Sequence, residues 1–193
     1  ASSIGAASHR VVLGALVFLA ALTPVADGDI FWHLAAGREM WRTGALLRVD
    51  PFSVDAAGRS WIDVHWLFQL GTFAIHSALG LQGLVLMKAG LLVLGALILQ
   101  RAVDAATGAA AKWPFVVLLG GALFAIRHLL LVRPVIVTLV FASIFFLVLE
   151  SFRRGAPARV LLWLLPVQCL WANCQGLFGI GPALVLAFLA GAG

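Results

Sequence analysis

Residues 134–149, PVIVTLVFASIFFLVL, run most of the length of a membrane-crossing helix without one charged side chain, and several other stretches of the chain read the same way. A helix needs ~20 predominantly apolar residues to cross a bilayer. The apolar runs are continuous rather than alternating, so they do not fit the strands of a barrel. Only 11% of the 193 residues are charged, against about 25% in soluble domains. The expected class is an all-α, polytopic transmembrane helix bundle.

Six spans are expected, at 10–26, 82–101, 113–126, 134–150, 160–172 and 176–192, in a single membrane domain covering 1–193. The first is taken as a span and not a signal peptide, because Pro24 and an acidic pair follow it without a small-residue cleavage site. The chain lacks an initiating Met and ends in the apolar LAFLAGAG, which predicts a fragment of a longer protein. No basic run suggests nucleic acid as a partner, despite the net charge of +5. Cys169 and Cys174 are too sparse for a disulfide framework or a zinc site and read as packing residues.

The stretch WLFQLGTFAIHSAL at 66–79 is short for a crossing. Its polar members His65, Gln69, Thr72 and His76 recur at helical spacing, which describes a helix along the interface with one wet face. The positive-inside rule agrees, since Arg10, Arg101, Lys112, Arg153, Arg154 and Arg159 then all face the cytoplasm. Residues 27–81 become one long loop on the external, periplasmic side of the inner membrane, holding six of the eight acidic residues. A loop of that length is expected to be functional. It is predicted to contain a juxtamembrane helix over 29–43, a turn-rich middle in which Asp50 bonds forward to the backbone, and the interfacial helix. Trp32, Trp41, Trp61 and Trp66 suit headgroup depth.

This topology gathers polar residues at the external end. Asp27, Asp29 and His33 open the loop, Asp63 and His65 close it, and Arg127, Arg133, Asn173 and Gln175 lie in later external turns. Asp29 and His33, four apart, share a helix face. Asp27 can cap that helix and Asp29 can complement its dipole; alternatively one carboxylate is a general base and the other, or His33, orients it or helps hold a divalent cation. Asp63 is a cap by default, and His65 a hydrogen-bonding residue; no HxxxH or HExxH spacing supports a metal there. Arg127 and Arg133 flank apolar sequence, where an unpaired charge costs ~3 kcal/mol or more. They either reach lipid phosphates or bind a phosphate-bearing lipid substrate. Lys88 is expected to snorkel, and His76 and His128 to be hydrogen-bonded packing residues. Asn173 and Gln175 satisfy backbone groups at a helix break or contribute to a binding site.

The run DGDIFWHLAAGREMWRTGALLRVDPFSVDAAGRSWIDVHWLFQL resembles the first external loop of a group of large bacterial membrane proteins related to GT-C glycosyltransferases, and LVRPVIVTLVF and LWANCQGLFGIG are similar to later motifs of that group. The resemblance implies a GT-C arrangement, with the juxtamembrane helices at 29–43 and 66–79. It further implies a base or metal-binding role for Asp27 or Asp29, and a polyprenyl-phosphate sugar donor for which Arg127 and Arg133 would be phosphate partners. Glycosyl transfer on the external face is the leading expectation. A non-catalytic subunit packed in a larger membrane complex is the alternative, suggested by the Gly- and Ala-rich spans. A transporter comes third.

Overall fold

A computed structural model describes residues 3–55, 57–107 and 111–191, the side chains of 3–7 apart. Seven helices follow in order: α1 (Ser3–Ala21), α2 (Asp29–Thr43), α3 (Trp66–Thr107), α4 (Lys112–Ala125), α5 (Val135–Arg153), α6 (Leu164–Cys174) and α7 (Ile180–Ala190). Short 3-10 turns precede α6 and α7 and follow α4. No strand forms among the described residues; a lone bridge joins Val49 to Ser60 in the loop.

Two helices, α3 and α5, are long and apolar enough to cross a membrane. The other apolar helices, at 8–21, 112–125, 158–174 and 176–190, are shorter. The expectation of six full spans therefore narrows to two helices of crossing length. The expected first span, 10–26, is cut back because α1 ends at Ala21, ahead of Pro24, which disfavours helical backbone in the residue before it and lacks an amide proton.

The juxtamembrane helix is α2, Asp29–Thr43, closed by Gly44 at φ 66°, a left-handed conformation that suits glycine at a helix end. The interfacial segment and the next span are joined in α3 but broken at Gly80, with φ 63° and ψ −159°. The polar stripe on 66–79 is not a wet face: Gln69 and Thr72 are buried, and His76 is partly buried. Beside lipid the outward face can be apolar, while polar groups find partners inside the protein.

One core cluster joins Leu13, Val17 and Ala21 of α1 to Leu92 and Ala96 of α3, Val116 of α4 and Ile136 of α5. A second packs Ile30 and Leu34 of α2 onto Leu84 and Val132. Gly95 allows close approach of α3 and α5, since a methyl there would meet the Val140 backbone at 3.5 Å. Trp171 of α6 is fully buried and donates to Thr138 Oγ1 at 3.1 Å. At the far end of the bundle, Asp104 of α3 accepts from Arg10 at 2.8 Å and from Gln100 at 2.9 Å, clasping α1 to α3.

Lys88 does not snorkel. It is fully buried, and its Nζ donates to Thr23 O at 3.0 Å, Thr23 Oγ1 at 2.7 Å and Leu130 O at 2.8 Å. Three protons meet three oxygens, tying the chain after α1 to the chain before α5. His128 is exposed and makes no hydrogen bond among the described residues, contrary to the packing role expected of it.

Candidate functional site

Thr23 and Leu130, the residues held by Lys88, lie four positions before Asp27 and three before Arg133 respectively. The two pinned segments meet where Arg133 Nε donates to Asp27 Oδ2 and its Nη2 to Asp27 Oδ1 at 3.1 Å. Arg133 Nη2 also lies 2.9 Å from Asp29 Oδ2. Asp27 Oδ1 further accepts the Asp29 amide proton at 3.1 Å, as a residue capping the start of α2 would. The carboxyl of Asp27 is held below the usual range, chiefly by its hydrogen bonds from Arg133.

Exposure separates the two carboxylates. Asp27's side chain is 7% exposed, whereas Asp29's is 55% exposed and Arg133's 45%. With both acids ionised the trio carries one net negative charge.

The remaining site residues form an adjoining network built by α2, the start of α3 and the end of α6. His33 is buried, with Nδ1 3.5 Å from Gln69 Nε2. Gln69 Nε2 donates to Asp63 Oδ1 at 3.1 Å, and the His65 amide donates to the same oxygen at 2.9 Å. Asp63 thus caps the entry to α3. His65 Nε2 meets Gln175 Oε1 at 3.0 Å, and that oxygen also accepts the Gly176 amide at 2.6 Å. Trp66 Nε1 donates to Asn173 Oδ1 at 2.7 Å, and Asn173 Nδ2 donates to Cys169 O at 2.7 Å. The rings of Trp32, His65 and Phe68 surround His33, with centroids 3.8, 5.7 and 5.5 Å away.

Burial, with the positive potential of His65 behind it, pushes the His33 imidazole down to about 4, so it is neutral near pH 7. Burial also raises the Asp63 carboxyl above its ordinary value, since its hydrogen bonds only partly compensate for lost water. Asp63 Oδ2 and Gln69 Oε1 are buried and accept no hydrogen bond.

Arg127 stays out of this assembly. Its guanidinium lies 4.5 Å from the centroid of the Phe124 ring and Nη1 donates to Phe124 O at 3.2 Å, within its own turn. Among the described residues no three His, Cys, Asp or Glu side chains converge to hold a metal ion. Asp27 and Asp29 share the guanidinium of Arg133. Gln69 and Trp66 belong to the network although the sequence did not single them out as site residues; Gln69's place in the polar stripe with His65 was the available signal. No protein-family model, curated protein or solved structure matches this chain.

Proposed function

We propose that the chain is a membrane glycosyltransferase of the GT-C type, or the N-terminal module of one, with loop 27–81 on the external face of the inner membrane. Its donor is a polyprenyl-phosphate sugar. One observation supports the reading above others: Asp27 is buried and occupied by Arg133, while Asp29 presents an exposed carboxylate beside the same guanidinium. Asp29 is then the base and Asp27 the residue that positions Arg133.

In the reaction, an acceptor hydroxyl attacks the anomeric carbon. The bond from that carbon to the phosphate oxygen breaks, and the electron pair leaves with the polyprenyl phosphate. Asp29 takes the hydroxyl proton, and Arg133 steadies the charge on the departing phosphate. A single displacement inverts the anomeric centre. Incubating the full chain with a polyprenyl-phosphate sugar tests this: Asp29→Asn should lower transfer by about 10²–10⁴-fold, and full activity in that variant would refute the assignment.

A second reading, a non-catalytic subunit of a larger membrane complex, is favoured by the way the network spends its polar atoms internally. His65 binds Gln175 and Trp66 binds Asn173, so these side chains serve to clasp the loop to α6. Purification in mild detergent separates the two readings. A stoichiometric protein partner without lipid-linked sugar supports the subunit; a bound polyprenyl-phosphate species supports the enzyme.

A further inference from the structure

On the side of α2 away from Asp29, the helix and the first half of α3 enclose a crevice of about 260 Å³, lined by Phe31, Leu34, Ala35, Arg38, Phe73 and His76. Arg38 follows Asp29 by nine residues, roughly two and a half helical turns, so the two project from opposite faces. The crevice is therefore separate from the proposed catalytic cluster and independent of the reading given to it.

Its two polar side chains are uncommitted. Arg42, one turn along, is engaged by Glu39 through contacts of 2.6 and 3.1 Å. Arg38 and His76 make no hydrogen bond or ion pair among the described residues. A guanidinium supplies paired N–H donors in a plane and an imidazole adds another, a donor set matched to the oxygens of a phosphate. The rest of the lining is apolar and gives a free phosphate nothing to bind. Around it, α2 exposes Phe31 at 57% and Trp41 at 65%. Aromatic rings beside an arginine are the composition of a helix face at lipid headgroup depth.

We infer that the Arg38–His76 crevice binds an anionic phospholipid, with the phosphate on the Arg38 guanidinium and the His76 imidazole and the upper acyl chain against Phe31, Leu34 and Phe73. The lipid would seat α2 at the membrane surface and fix the height of the loop.

Native mass spectrometry of the full chain in mild detergent, titrated with phosphatidylglycerol and with phosphatidylcholine of the same acyl chains, tests this. Phosphatidylglycerol should be retained in preference. Arg38→Gln should weaken its retention about tenfold, the scale of one charge-assisted hydrogen bond, and His76→Gln should weaken it less. Arg59→Gln removes the same charge from the exposed loop and should change nothing. Both arginine positions are exposed, so folding is retained. Equal losses from Arg38→Gln and Arg59→Gln would overturn the site in favour of diffuse attraction. Equal retention of the two lipids would overturn the anionic lipid as its occupant, and displacement of phosphatidylglycerol by inorganic phosphate at the same concentration would overturn any lipid.

Discussion

Gly37 on α2 offers a demanding test of how the loop is docked. A methyl added there would lie 2.3 Å from Gln69 O and 2.8 Å from Phe73 Cβ, where ordinary contact begins near 3.4 Å. The obstacle is mainly backbone, so Gly37→Ala must drive α2 away from α3 by about 1 Å in a closely packed interior. Overpacking of this kind costs about 1–3 kcal/mol, with the upper end expected against a carbonyl. Alanine returns about 1 kcal/mol through helix propensity, leaving a net loss of about 2 kcal/mol. In a domain of this size that lowers Tm by about 4–8 °C. The displacement also pulls His33 and Gln69 apart. Gly71→Ala, on the exposed side of α3 with nothing within 4 Å, should instead stabilise by about 0.5–1 kcal/mol. Thermal unfolding in detergent, followed by tryptophan fluorescence, reads both. A Gly37→Ala protein as stable as wild type would refute the docking of α2 on Gln69.

Acid should destabilise the fold through His33. The unfolded chain gains a proton near 6.5 and the folded chain only near 4, so stability falls across that window by up to about 3 kcal/mol and levels off below it. Asp63, with its carboxyl raised, opposes part of this loss as it protonates; Tm measured from pH 7 to 4 should fall, and His33→Gln should flatten the slope. Arg133→Gln strips the buried Asp27 carboxylate of its partner, so the Arg133→Gln/Asp27→Asn pair should unfold at a higher temperature than Arg133→Gln alone. Asn173→Ala leaves Trp66 Nε1 without its acceptor and should cost about 1 kcal/mol in the same assay.

The local signals in the sequence carried far. The juxtamembrane helix expected over 29–43 coincides with α2, and Gly80 falls between the two segments expected at 66–79 and 82–101. Asp50 bonds forward to the Phe52 and Ser53 amides as expected of a DPFS turn. Of the polar residues expected to gather at one end, Asp27 and Asp29 do meet Arg133, and His65 meets Gln175. Partner choice was less visible. Nothing in FAIRHLLLVRP distinguishes Arg133, which reaches Asp27, from Arg127, which turns back onto Phe124. The polar stripe was assigned to the wrong side because periodicity marks a face without saying what it faces. Lys88 is hidden for a related reason: its three acceptors include two backbone carbonyls, which carry no residue-specific signal.

The most direct test of the central claim is sugar transfer from a polyprenyl-phosphate donor by the full chain in proteoliposomes, comparing wild type with Asp29→Asn. A base acting in the displacement contributes about 10²–10⁴-fold. Wild type should transfer the sugar with inversion, and the variant should show a loss of that size. Undiminished transfer by Asp29→Asn, or none by wild type, would contradict it.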